Sequence, residues 1–222
     1  MPSGFERVAV AAVAAAVSLS CGARAARADE RPADPTYGRL EGDVGLVVGA
    51  GGVVASRGVR AGGEVRLRYL ETAGLFVTYE DGRVFGAALE PESLLAAGLE
   101  LRPLFLFRWL QGHESRRARL DLALDSIGLE LGATVEQPSG GGFASRAGLE
   151  AGVGVELPIF AGANGPWIAV RGALRWSDVA LGGQASDALH GADDRDAVLA
   201  ITLGWHQILT AHLVDAGDRA PR

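Results

Sequence analysis

Alternation of apolar and polar residues at a period of two runs through most of this chain, and it constrains the fold to β-structure more tightly than any other feature. Val65, Leu67 and Tyr69 oppose Glu64, Arg66 and Arg68. Leu149, Val153, Val155, Leu157 and Ile159 oppose Glu150, Gly152, Gly154 and Glu156, and Ile168, Val170, Leu174 and Trp176 oppose Arg171 and Arg175. Successive side chains of a strand point to opposite faces, whereas an amphipathic helix repeats every 3.6 residues. The pattern predicts eight strands, at 40–49, 61–71, 74–80, 93–109, 117–135, 145–160, 166–178 and 196–208. Within the fourth, LELRPLFLFRW puts Leu99, Leu101, Pro103, Phe105, Phe107 and Trp109 on one face, with Glu100, Arg102 and Arg108 on the other. The fifth changes face, from Leu120, Leu122 and Leu124 to Ile127, Leu129 and Leu131. A one-residue slip flips every side chain, so a continuous strand there requires a β-bulge near Asp125-Ser126.

With no segment of helical period between the strands, the expected topology is an antiparallel meander. The connections alternate in character. Those after strands 1, 3, 5 and 7 (GAGGVVASRGVR, DGRVFGAALEPE, QPSGGGFAS and VALGGQASDALHGADDR) read as long, and those after 2, 4 and 6 (Glu71-Thr72-Ala73, QGHESRR and AGANG) as short. Asp81-Gly82 offers an alternative hairpin with a strand over 83–89, which would raise the count to ten.

The beginning of the chain reads as an export signal. Val8 to Leu19 is an apolar run after a short segment carrying Arg7. It is too short for a bilayer core of roughly 30 Å, which a helix of about twenty residues spans. Cleavage after Ala28 is favoured. Removing Arg7, Arg24, Arg27 and Glu6 leaves 18 Arg against 26 acids, because all 21 basic residues of the chain are Arg. The expected organisation is a signal peptide over 1–28, a polar lead-in over 29–39, a β-barrel over 40–208 and a tail over 209–222. Cys21, the single cysteine, is either removed with the signal or acylated as a lipoprotein anchor. A chain this acidic, with a net charge of −6, has no clustered basic face for nucleic acid.

Alternation does not say which face is wet. A soluble barrel turns its apolar face inward, around an apolar ligand, whereas a membrane barrel turns it outward to lipid. Three features favour the second. Gly45, Gly98, Gly152, Gly154 and Gly204 share the charged face, where small residues leave room for long side chains in a narrow interior. Tyr69, Trp109, Phe160, Trp167 and Trp205 fall near the short turns, and Tyr79 and Trp176 near the long loops, as aromatic residues do at membrane–water interfaces. Short turns at one end and long loops at the other complete the pattern. In these respects the region 40–208 resembles the small eight-stranded outer-membrane β-barrels of the OmpA/OmpX type. Its departures are Pro103 inside strand 4 and a chain that runs on past its last strand. The resemblance implies an all-β, antiparallel up-and-down transmembrane β-barrel, monomeric, with outer-membrane lipid as partner and no cofactor.

Eight strands leave an interior that side chains fill. The expected interior ladder sets Arg66, Arg68, Arg102, Arg108, Arg119, Arg171 and Arg175 against Asp43, Glu64, Glu100, Asp121, Glu130, Glu150 and Glu156. Near-equal numbers point to mutual neutralisation and a closed plug rather than a small-solute channel, since unpaired buried charge is costly. The expected role is structural, envelope-stabilising or surface-interacting, and not enzymatic.

Other groupings carry little chemistry. Gly49-x-Gly51 lacks the third glycine of a dinucleotide fingerprint, Val54 standing there, and no helix follows. His113-Glu114-Ser115 resembles the His-x-Ser of lipid A deacylase barrels but lies at the short-turn end. His190 with Asp187, Asp193, Asp194 and Asp196 fits no calcium-loop spacing. His206-Gln207 beside Trp205 reads as a polar cap inside the barrel, with no nucleophile near it.

Overall fold

The computed structural model describes residues 36–85, 91–113, 115, 117–181 and 195–211. The expected signal peptide, the His190 cluster apart from Asp196, and the 212–222 part of the tail lie outside them. Eight strands close into one antiparallel barrel in sequence order: β1 (Val44–Ala55), β2 (Gly58–Tyr69), β3 (Ala73–Asp81), β4 (Ser93–Leu101), β5 (Gly128–Gln137), β6 (Gly148–Pro158), β7 (Gly165–Trp176) and β8 (Arg195–Leu209). β1 closes the ring against β8, with Val48 opposite Trp205. Two eight-residue helices, α1 (Pro103–Leu110) and α2 (Ala118–Asp125), join β4 to β5, and a single turn, α3 (Asp178–Leu181), follows β7. Among the described residues no helix is long and apolar enough to cross a membrane.

The apolar stripes lie outside and the ions inside. Leu67, Leu75, Leu99, Leu131, Leu174, Ile201 and Leu203 are exposed on the outer wall, whereas Glu64, Arg66, Arg68, Glu100, Arg171 and Arg175 are buried. Arg66 is wholly buried, at 0% exposure, while Leu99 keeps 63%. Register joins the stripes into a band around the wall: Leu67 faces Leu75, Leu75 faces Leu99, and Leu99 faces Leu131. The strands have 9 to 15 residues, which brackets the roughly 9–11 that a tilted strand needs to span a bilayer core.

Several boundaries correct the sequence reading. The stretch read as a long first loop is strand: β1 and β2 pair through Ala55 and Gly58, leaving Ser56 and Arg57 as a two-residue turn. Glycines at 49, 51, 52, 62 and 63 disguised this pairing, because strand propensity is low there while the ladder is intact. Strand 4 ends at Leu101 rather than at Trp109. Arg102 makes the last backbone bond, donating N–H to Thr72 O at 2.6 Å, and Pro103 has no N–H to continue. Proline is well suited to the first turn of a helix, where that donor has no partner anyway. The residues 103–110 that alternate as a strand also read at helical spacing, and the structure takes that period. Likewise 118–125 is helix, so the change of face needs no bulge: α2 ends at Asp125, Ser126 caps it, and β5 starts afresh at Gly128. The connection read as the short turn QGHESRR is therefore the helical hairpin 102–127. Residues 83–85 form a turn, and the described strands number eight, not ten.

Candidate functional site: the ion-paired interior and its plug

β2, β4, β5, β6 and β7 point acids or arginines inward, at successive alternate positions on β2 and interspersed with glycine, alanine or threonine on the others, and the barrel's small radius brings them within bonding distance. At the centre, Arg66 donates Nε to Glu64 (2.8 Å) and Nη1 to both Glu100 (3.1 Å) and Glu130 (2.7 Å). Glu156 is shared by three guanidinium groups, those of Arg68 (2.6 Å), Arg102 (2.7 Å) and Arg171 (2.5 Å). Arg171 also reaches Glu64 and Glu130, and Thr202 donates its hydroxyl to Glu64. This is the bidentate, planar recognition for which arginine is suited and a lysine ammonium is not. Two glycines make the packing feasible. A Cβ at Gly45 would overlap Glu71 Oε1, and one at Gly154 would lie 2.8 Å from Arg171 Cγ. Gly98, Gly152 and Gly204, by contrast, lie against the backbone of neighbouring strands.

Toward the opposite end from the chain termini the network thins. Arg175 bonds Glu150 and Glu80, each at 2.5 Å, and Arg60 approaches Glu80 at 3.5 Å. A cavity of about 40 Å³ lies among Arg66, Thr78, Glu80, Glu150 and Arg175, where Arg66 Nη2 and Thr78 Oγ1 have no hydrogen-bond partner among the described residues. It has room for a few waters and no more, since one water needs roughly 10–15 Å³ by this measure.

The end carrying the termini is stoppered. Phe105 of α1 and Leu122 of α2 are buried there, and the Arg39 guanidinium lies 4.1 Å over the Phe105 ring. Arg39 bonds Asp125, which also receives Arg108 (2.6 Å), while Asp121 takes Arg108 (2.6 Å), the Tyr37 hydroxyl (2.7 Å) and the backbone N–H of Ser115 (2.9 Å). Ala163, between β6 and β7, donates its N–H to Tyr37 O at 3.0 Å and ties the 36–43 strap across the mouth. Burial would raise the Asp121 carboxyl, but its donors outweigh that and hold it at about 2. Just above, Glu71 bonds His206 Nε2 at 3.1 Å and Arg102 at 3.3 Å. Burial again works against ionisation, and His206, Arg68 and Arg102 hold that carboxyl at about 2. The His206 Nδ1 bonds Ala163 O, and Trp167 stacks edge-on to the ring at 5.3 Å.

Of the residues expected in the interior ladder, ten line the barrel: Glu64, Arg66, Arg68, Glu100, Arg102, Glu130, Glu150, Glu156, Arg171 and Arg175. Four do not. Arg108 and Asp121 belong to the stopper because they sit on helices, and Arg119 is exposed on α2 for the same reason. Asp43 lies at the rim, half-buried, accepting the Ala211 N–H at 2.6 Å. Sequence reasoning missed Arg60, Glu71 and Glu80 as members; His206, read as a polar cap inside the barrel, is buried there against Glu71. Extending the β2 alternation back from Glu64 would have found Arg60. Among the aromatic residues, Tyr69, Trp109, Phe160 and Trp205 are exposed near the stoppered end, and Tyr79 and Trp176 are partly covered near the other. Trp167 is the exception: it is 5% exposed, points inward, and donates Nε1–H to Ala163 O, so it is a stopper residue and not an interfacial one.

No group of three or more His, Cys, Asp or Glu among the described residues is placed to hold a metal ion. His113 is exposed after α1, and its backbone carbonyl accepts from Arg108 Nη2 at 3.2 Å.

No family model matches the chain, and no curated protein matches it. Among solved structures, Ail, the attachment invasion locus protein of Yersinia pestis, crystallised with the heparin analogue sucrose octasulfate, aligns over 75% of this chain and 99% of its own, at 12% identity and a TM-score of 0.34. The closed eight-stranded antiparallel barrel is of the same type as the small outer-membrane barrels that the sequence pattern resembles.

Proposed function

We propose that this chain is a monomeric outer-membrane β-barrel that acts as a closed structural or surface-interaction element of the cell envelope, and not as a pore or an enzyme. One observation carries the reading: the molecule is inside-out, with a continuous apolar wall around a core of charged side chains. In water such a wall would expose far more contiguous apolar surface than the few hundred Å² a soluble monomer usually shows. In lipid the same arrangement satisfies every strand edge by closure. The interior argues against conduction, because its guanidinium and carboxylate groups bond one another across the lumen and the stopper closes one end. It argues equally against catalysis there, since the described interior carboxylates are engaged by arginine. Partners, if the chain has them, would meet the segments joining β3 to β4, β5 to β6 and β7 to β8.

The test is refolding into detergent micelles and lipid vesicles, followed by gel mobility before and after boiling and by single-channel recording. A heat-dependent mobility shift with a silent bilayer is expected. A monomer that folds in plain buffer would overturn the membrane reading, and steady conductance would replace the closed barrel with a channel.

A further inference from the structure

α1 and α2 bury Phe105, Leu122, Asp121 and Asp125 against the barrel, and what they leave outward is as ordered as what they bury. On α1 five residues are exposed; Pro103, Leu106, Phe107 and Leu110 fall at i, i+3, i+4 and i+7, one helical stripe, and Trp109 flanks it. Leu110 keeps 74% of its surface and Phe107 58%. On α2 Leu120 and Leu124 make the matching pair. The stripe continues the outer wall: the chain leaves β4 after Leu101, re-enters β5 before Leu129, and those two exposed leucines face one another in the sheet. Charge reinforces the placement. The whole chain is acidic, yet residues 102–119 hold five arginines and one glutamate. Arg102 and Arg108 are turned inward to carboxylates, whereas Arg117 and Arg119 are exposed beside the leucine pair, with Arg116 adjoining them in sequence.

We infer that the α1–α2 hairpin is an in-plane membrane anchor, laid in the boundary between headgroups and acyl chains of the leaflet at the stoppered end, with Arg117 and Arg119 on anionic phospholipid headgroups. An apolar helical stripe flanked by arginine suits that boundary, in which such helices sink roughly 5–10 Å. Neither arm suffices in water: the stripe would be left wet, and the arginines would be scattered surface charge. The anchor has a structural consequence as well. Because Phe105 and Arg108 of α1 hold the stopper through Arg39, Asp121 and Asp125, lipid contact on one side of the hairpin holds the lid on the other.

The inference rests on the membrane-barrel reading, and the experiment separates the two. The full chain with Cys21→Ser is labelled with a nitroxide at Leu110→Cys on the hairpin or at Leu203→Cys on the wall. It is refolded into phosphatidylcholine vesicles with or without phosphatidylglycerol, and oxygen and nickel-chelate accessibilities are read. Both labels are expected to favour oxygen, with the Leu110 label shallower and moving deeper when phosphatidylglycerol is added. The double variant Arg117→Gln, Arg119→Gln is expected to keep its heat-dependent gel shift and lose that lipid-dependent movement. A wall label in lipid with a hairpin label in water would overturn the anchor and leave the barrel standing. Both labels in water would overturn both. A hairpin label equally deep in the two lipids would overturn the assignment to anionic headgroups.

Discussion

The two halves of the barrel interior use the same residue types to different effect. Near the stopper, Glu156 is held by three arginines and Arg102 reaches Glu71, Glu100 and Glu156, so these charges are braced by several others. In the far half, Arg175 and Arg60 serve Glu80 and Glu150 beside a cavity large enough for water. The difference teaches that the ion pairs are not interchangeable units of stability. Where water can enter, a lost partner is replaced by solvent; where the network is dry, it leaves a charge uncompensated, and that is the expensive case.

The largest expected effect breaks the comparison at its strongest point. Glu156→Gln keeps the shape and removes the charge shared by Arg68, Arg102 and Arg171, and should cost about 3–5 kcal/mol, the range for breaking a buried pair. Glu150→Gln, in the watered half, should cost about 1 kcal/mol, because Arg175 retains Glu80. Urea unfolding of vesicle-inserted protein measures both. Equal losses would mean that the two halves do not differ in hydration.

How much of this was legible in the sequence follows from what a period of two can and cannot encode. Glu64, Arg66, Arg68, Glu150, Arg171 and Arg175 were readable because each stands in a long unbroken alternation that only a strand accounts for. The segment 103–110 was not, since P-L-F-L-F-R-W-L satisfies a strand reading on its odd positions and a helical one at 103, 106, 107 and 110. Pro103 decided between them, as the residue that ends the ladder and opens the helix. Arg60 was hidden by glycines around it, and Glu71 by its place in a turn with φ of +55°, outside any repeating pattern. The bonds across the lumen, such as Thr202 to Glu64 over 138 residues of chain, depend on closure and on stagger, which no local pattern carries.

Acid should separate the stopper from the rest. The Asp121 carboxyl is held at about 2, below the roughly 3.9 of an unfolded chain. A depressed folded value stabilises above the unfolded one, and that contribution fades as pH falls from about 4 through 2. Between those values the folded stopper should loosen progressively, as read by Trp109 and Trp167 fluorescence. Asp121→Asn should remove most of the pH dependence and cost about 1.5–3 kcal/mol at neutral pH, the scale of a hydrogen bond to a charged group. Glu71, also held at about 2, would contribute to the same window. An unchanged acid transition in Asp121→Asn would assign the loosening to Glu71 instead.

The smallest effect sharpens the comparison from the watered side. Thr78 Oγ1 lines the far cavity with no partner among the described residues, so Thr78→Val removes a hydroxyl that bonds none of them while keeping the side chain's shape. If water fills the cavity, the hydroxyl is solvated and its loss should change stability by less than about 1 kcal/mol, since a buried group left without any partner is what costs 1–3. If the cavity is dry, the threonine is already an unsatisfied polar group, and valine should stabilise the barrel by about that penalty. A clear gain in the urea midpoint would therefore make the far half as dry as the near one. The contrast between Glu156 and Glu150 would then rest on the number of partners alone, and not on water.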